Sequence, residues 1–409
     1  MPSVLKEAQM QNWKSKILLF MSSQAVTLFG SSLVQFAIVW YITLKTSSGI
    51  WVSALTICSF VPQFIISFFA GVWADRYSKK LLIIFSDAII AISTLVLVLL
   101  LPHISNDNTV FIALLIASVI RSLGAGIQTP AVSSVIPLFV PEEHLMKFNG
   151  INATVQSVVQ FAAPAAAGAI LSFSTLPSTL LIDIATAAVG IGILSALAIP
   201  KQTVINTDSS ESVFQEMIKG MKYAFSNSYL RKLLIFFGIF IFLSVPAGFL
   251  ATLFVSREYN SSYAYMSIVE IVGFAGMAAG GLLIGIWGGF KKQIFTLITG
   301  IIAFGILGIG MGIIDNFIVY LILMVIYGVA LTMVQTSIMT IIQQKSDASM
   351  IGRVFGFQNA MFSGCLPIGM AVFGPLADIM PLRLLMIITG IFMLLMAGLI
   401  RIDKVMLID

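Results

Sequence analysis

Twelve apolar runs of 17 to 26 residues alternate with short polar segments along the 409-residue chain. They are Ile17–Tyr41, Ile50–Trp73, Leu81–Leu101, Val110–Val132, Gly150–Leu171, Thr179–Ile199, Leu233–Phe254, Tyr263–Trp287, Ile294–Ile313, Phe317–Ile342, Val354–Phe373 and Leu384–Ile400. A helix needs about 20 mostly apolar residues to cross the hydrocarbon core of a bilayer, so each run suits one crossing. The pattern predicts an all-α membrane protein of twelve transmembrane helices, called spans 1 to 12 here, with ends uncertain by several residues. The polar stretch Met1–Lys16 leads straight into a run longer than a signal-peptide core, so span 1 is read as permanent.

The polar segments set the orientation. An even number of spans puts both termini on one side, and Lys and Arg in short loops stay cytoplasmic. Of the 22 basic residues, 18 fall on the side of the termini, Lys45, Arg257 and Arg383 fall opposite, and Arg121 lies inside span 4. The expected placement is therefore a multi-pass protein of the inner (plasma) membrane with both termini cytoplasmic. This distribution also explains the net charge of +5, so no nucleic-acid partner is expected.

Composition agrees with the runs. Charged residues make up 10% and hydrophobic ones 59%, against about 25% and 45–50% in soluble domains, and the mean hydropathy is +1.04. Cys58 and Cys365 lie far apart within apolar runs, without metal-type spacing, and are read as packing residues. Neither a metal nor a cofactor is expected.

The chain reads as two halves. Residues 1–200 form an N-terminal six-helix bundle, 201–232 a cytoplasmic linker, and 233–409 a C-terminal six-helix bundle. KFNGINA from Lys147 aligns with RVFGFQN from Arg353 at an offset of 206, each opening the fifth span of its half. GVWADRYSKK after span 2 has a degraded counterpart, GLLIGIWGGFKK, after span 8. In the linker, Phe214, Met217, Ile218, Met221 and Phe225 recur at helical spacing, which suits a helix lying on the membrane surface or one covering the bundle floor.

Gly71–Lys80 joins spans 2 and 3 with a small residue at a helix end, then Asp75 and Arg76, then Lys79 and Lys80. This matches GxxxDRxxRK, with Lys79 in place of Arg, and the chain resembles the major facilitator superfamily, whose signature loop sits here. The resemblance covers span count, loop position and half-repeat. Gly71 permits close helix approach, Asp75 can cap a neighbouring helix, and Arg76 can pair with an acid, which makes a conformational latch of Gly71, Asp75, Arg76, Lys79 and Lys80. The plainer reading makes the three cations simple positive-inside anchors.

Arg121 sits near mid-membrane, where an unpaired cation costs several kcal/mol. Its surroundings, IRSLGAGIQTPA, resemble the superfamily's span 4 motif, which implies a role in proton transfer; Gly124 and Gly126 are displaced from their usual positions. In span 5, QFAAPAAAGAIL resembles a worn Gly-Pro antiporter motif with Pro164 and Gly168, echoed in span 11 by Pro367. The buried acids are Asp87, Asp183 and Glu270. Desolvation favours the neutral form of an intramembrane acid, so it can bind and release a proton during a cycle. Asp87, close to the basic loop, is expected as a structural partner of Arg76 or Arg121, part of the latch. Asp183 and Glu270 are candidates for proton coupling beside Arg121, with structural hydrogen bonding as the alternative.

Amides within spans either glue helices or line a solute path. Spans 1, 4, 7 and 10 line the cavity in the superfamily, which the resemblance extends to Gln24, Gln35, Gln128 and Gln335. The opening NWKSKILLFMSSQAVTLFGSSLVQFAIVWYIT, the loop WADRYSKK and IRSLGAGIQTPAVSSVIPLFVPEEHL look like the bacterial macrolide-efflux branch. That resemblance implies a non-enzymatic exporter of hydrophobic, macrolide-like small molecules in exchange for protons, held in membrane lipid; a monomer is one option, since the sequence does not fix the oligomeric state. No P-loop pattern is present to supply nucleotide energy. The rival readings are a proton-coupled importer of a small nutrient and a non-transporting sensor or scaffold.

Overall fold

The computed structural model describes residues 13–199, 213–347 and 350–407, and these are almost entirely helical. In chain order the helices are α1 Trp13–Thr46, α2 Gly49–Arg76, α3 Lys79–Leu100, α4 Asp107–Phe139, α5 Glu142–Phe173, α6 Leu176–Ala196, α7 Val213–Ser226 and α8 Ser228–Ser244. They continue as α9 Ala251–Glu258, α10 Tyr263–Trp287, α11 Gln293–Ile313, α12 Phe317–Lys345, α13 Ile351–Ile379, α14 Leu382–Ile402 and α15 Lys404–Leu407. Among the described residues eleven helices are long and apolar enough to cross a membrane. A twelfth crossing is reached where Ile218–Ser226 and α8, in the region of the expected span 7, are counted together. The fold is thus an all-α membrane protein of two six-span halves.

Several helices outrun their apolar runs because polar residues cap them beyond the hydrocarbon. The Asn106 side chain accepts from the Asn108 amide at 2.9 Å and starts α4 three residues before its run. Asn227 accepts from the amides of Tyr229 at 3.0 Å and Leu230 at 3.3 Å, starting α8 five residues before the expected edge. These bonds satisfy amides that a helix start leaves without a carbonyl. The same cap ends the amphipathic α7, and the chain bends by 113° between Ile218–Ser226 and α8. Of the amphipathic stripe, Met221 and Phe225 are exposed, and the side chains of Phe214 and Met217 lie outside the described residues. So do residues 201–212 of the linker.

Two compact units result: Met1–Val39 with Cys58–Ser210, and Trp40–Ile57 with Glu211–Asp409. The first packs α3 against α4 and α6. Toward the end that holds the N-terminus, Ile17, Phe20, Ile83, Val135, Phe139 and Leu194 form a buried apolar cluster. Pro62 inside α2 removes one ladder amide. One residue on, the Ser122 hydroxyl from α4 donates to the Ser59 carbonyl at 2.6 Å and accepts from the Gln63 amide at 2.9 Å. A side chain is thereby inserted into the i→i−4 ladder, which bends a helix without leaving a polar group unpaired.

In the second unit, span 7 is broken at residues 245–250. Pro246 cannot donate, and the Leu250 amide reaches back five residues to the Val245 carbonyl at 3.0 Å. α10 and α12 lie backbone to backbone because Gly276 and Gly328 face each other's helix; a Cβ at Gly276 would run into the Val325 carbonyl. At the end opposite the chain termini, the α1–α2 turn is tied to α13. Asp378 accepts from the Gly49 amide at 2.6 Å, the Ile50 amide at 3.0 Å and the Ser48 hydroxyl at 2.7 Å, so a residue 330 positions away caps α2. Arg257 pairs with Asp378 at 2.6 Å and donates to the Ala377 carbonyl at 2.5 Å and to the Ser47 carbonyl. Arg383 pairs with Glu258 at 2.5 Å and Asp315 at 2.7 Å beside this cluster.

Toward the C-terminus, Lys232 binds Asp403 at 2.6 Å, and this hydrogen bond holds the Asp403 carboxyl below the usual carboxylate range. Cys58 and Cys365 are half-buried free thiols.

Asp378→Ala removes a helix cap and strips Arg257 of its carboxylate. It is expected to destabilise the protein by about 2–3 kcal/mol, seen as a lower unfolding temperature in detergent. Ser48→Ala removes one of the bonds to Asp378 and should cost under about 1 kcal/mol. An Asp378→Ala protein as stable as the wild type would show that the cap holds nothing.

Candidate functional site: a buried ion pair and its polar surroundings

α1, α3, α4 and α6 each contribute to one polar cluster inside the first unit. Arg121 of α4 forms a charged hydrogen bond to Asp183 of α6, with side chains only 7% and 1% exposed. The guanidinium also donates to Thr94 Oγ1 of α3 at 2.6 Å and to the Ser31 carbonyl of α1 at 3.2 Å. Asp183 accepts further from Thr94 at 2.9 Å and from the Ser31 hydroxyl at 3.2 Å. Both charges are therefore paired and hydrogen-bonded, the condition under which a buried ion pair is tolerable. α1 and α6 come close enough because Gly30 faces Thr186 and Gly190 faces Thr27, where a Cβ on either glycine would collide.

The structure thus brings together two of the three residues expected to couple protons. The third, Glu270, lies in the other unit on the α10 stripe that meets α12. One turn along, Gly273 lies against Met324, and the fully buried Tyr320 is within electrostatic reach of the carboxyl. Among the described residues no hydrogen bond or ion pair to Glu270 is formed.

The expected contact of Asp87 with Arg121 is not the one formed. The guanidinium is taken up by Asp183, Thr94 and Ser31, and Asp87 instead accepts from Gln128 Nε2 at 2.7 Å, joining α3 to α4. Two of the four candidate cavity amides are engaged between helices: Gln128 in this way, and Gln35 by donating to Ser59 of α2 at 3.1 Å. Gln24 donates to its neighbour Ser23 at 3.2 Å, and Gln335 is half-buried on α12.

Of the signature loop, Gly71, Asp75 and Arg76 occupy the last turns of α2, and their surroundings lie outside the described residues. Lys79 donates to the Ala74 carbonyl at 2.9 Å. Lys80 donates to the carbonyls of Ser195 at 2.7 Å and Leu197 at 2.9 Å, closing the C-terminal end of α6 where orphan carbonyls and the helix dipole favour a cation. Pro164 and Gly168 sit within an unbroken α5, and Pro367 within α13, where Gly369 lies 3.3 Å from the Phe242 carbonyl of α8 when given a Cβ.

Sequence reasoning missed Ser31, Thr94, Ser59 and Ser122. Hydroxyls are common in apolar runs, and only Thr94, seven residues beyond Asp87 on the same helix face, carried a positional hint. Asp378 was also missed, although Arg257 stood out as one of few cations on its side of the membrane. No three His, Cys, Asp or Glu side chains converge to hold a metal among the described residues.

The comparisons agree with this architecture. Residues 20–370 match the Major Facilitator Superfamily. The chain is 30% identical over 369 residues to Macrolide efflux protein A of Streptococcus pyogenes, covering 90% of each chain. It is 28% identical over 321 residues to Macrolide efflux protein A of Enterococcus faecalis, covering 78% of this chain and 98% of that one. A crystal structure of a mutant of the nucleoside transporter NupG superposes with a TM-score of 0.72 at 16% identity, covering 95% of this chain and 99% of that one, which shows the shared fold. With the sequence matched over most of its length and twelve spans in two halves, this chain belongs to the Major Facilitator Superfamily of membrane transporters.

Proposed function

We propose that the protein exports hydrophobic, macrolide-like small molecules in exchange for protons across the inner membrane, with both termini in the cytoplasm and no enzymatic step. The observation that carries this reading is the Arg121–Asp183 pair. A charge buried in a span is expensive, and a transporter that never used it would be better served by apolar packing. Protonation of Asp183 breaks the ion pair and frees the guanidinium, which converts proton binding into a rearrangement among α1, α3, α4 and α6. Glu270 is the second coupling acid; among the described residues it has no cationic partner, so it can take up a proton without displacing one. The Phe- and Met-rich remainder of the spans suits an apolar ligand. The similarity to the macrolide efflux proteins supports the substrate class and the direction.

Cells expressing the protein should accumulate less radiolabelled macrolide than cells without it, and a protonophore should abolish the difference. Asp183→Asn with Glu270→Gln should do the same. Accumulation unaffected by the protein would remove the macrolide assignment.

Removing one member of the buried pair should be worse than removing both. Arg121→Gln and Asp183→Asn are each expected to destabilise the protein by about 3–5 kcal/mol, and the double variant by clearly less than their sum. Additive losses in detergent unfolding would mean that the two side chains act independently.

A further inference from the structure

Among the described residues the buried charged side chains of the first unit are Lys79, at the start of α3, and Arg121, Asp183 and Asp87 deeper in the spans; Lys79 is held at the Ala74 carbonyl, so within the spans one cation faces two carboxyl groups. The cation is committed to Asp183. Asp87 is 4% exposed; its Oδ1 accepts from Gln128 at 2.7 Å and its Oδ2 has no hydrogen-bond partner. α3 packs on α4 and α6, and Ile17 and Phe20 of α1 share a buried cluster with its Ile83; the charged groups that α4 and α6 turn toward the interior are Arg121 and Asp183, and the cations of α1, Lys14 and Lys16, sit in its first turn. On α3 itself Lys79 and Lys80 are held by backbone carbonyls about two turns away, and His103 beyond its far end is exposed.

The seam between α3 and α4 is tight. A Cβ on Gly124 would lie 2.7 Å from the Ile90 side chain and 3.3 Å from the Ser86 carbonyl, one residue before Asp87. An ionised carboxylate in such a seam, with one neutral donor and an oxygen left bare, is an unpaired buried charge. The neutral acid keeps the Gln128 bond and avoids that cost.

We propose that Asp87 is a proton-binding site, carried as the neutral acid in this conformation and emptied when the seam between α3 and α4 opens to water. On release the carboxyl O–H bond breaks, the proton passes to water, and the carboxylate retains the Gln128 N–H. This adds a site in the inner half of the first unit to the coupling groups assigned above. The protonation stands apart from that assignment, and only the release step rests on proton-coupled export.

Infrared spectra of the full-length protein in lipid, stepped through pH, test the site directly. A protonated-carboxyl C=O stretch should be present in the wild type, lose one component in Asp87→Asn and retain it in Asp183→Asn. The amide mimics a neutral acid, so Asp87→Asn should unfold at the wild-type temperature while protonophore-sensitive export falls about tenfold, or ~1.4 kcal/mol. An unchanged band in Asp87→Asn, or a variant that cannot fold, would overturn the neutral acid. A lost band with export unchanged in rate and pH profile would overturn the release step. If Asp87→Asn abolishes export while Asp183→Asn and Glu270→Gln leave it intact, the earlier coupling assignment fails and Asp87 stands.

Discussion

The first unit is organised around one ion pair in a medium that punishes charge. Arg121 and Asp183 are almost wholly buried, each is paired with the other, and Thr94 and Ser31 fill the remaining hydrogen-bonding positions. Four helices must be in register for that set to close. The glycines that let α1 and α6 meet and the Ser122 hydroxyl that bridges the ladder of α2 beside Pro62 serve the same register. A cluster with so many mutual requirements has few intermediate arrangements, which suits a two-state device better than a gradual one.

The second unit is held differently. Among the described residues its ion pairs lie at the ends of the spans, where the α1–α2 turn is capped by Asp378 and braced by Arg257, and where Arg383 gathers Glu258 and Asp315. Its interior relies on close helix contact through Gly276 and Gly328, on aromatic packing of Phe254, Tyr259 and Tyr320, and on a span 7 interrupted at Pro246. The first unit thus concentrates buried charge, and the second concentrates small residues, rings and a broken helix.

Much of this was legible in the sequence, for identifiable reasons. Apolar run length reports membrane thickness, and the twelve runs therefore marked the spans and their fold class. Run ends misplaced the helix ends because Asn106 and Asn227 extend helices into polar territory by capping. Arg121 and Asp183 were each conspicuous as charges in apolar runs, but sequence carries no information on which acid on another helix meets the guanidinium; Asp183 takes it, and Asp87 accepts from Gln128, while the side chain of Arg76, the other expected partner of Asp87, lies outside the described residues. That Gln128 joins α4 to Asp87 of α3 was not legible, because an amide in a span looks alike whether it lines a path or joins two helices. The Asp378 cap joins residues some 330 positions apart and has no local signature at all.

Proton release on ligand binding tests the central claim most directly. Purified protein in weakly buffered detergent, with a pH-sensitive dye, is titrated with a macrolide while binding is followed in parallel. The account predicts that binding expels protons, and that the Asp183→Asn, Glu270→Gln double variant expels fewer for the same amount of macrolide bound. Macrolide binding with no proton release at any pH would contradict proton exchange and leave the buried pair a structural feature alone.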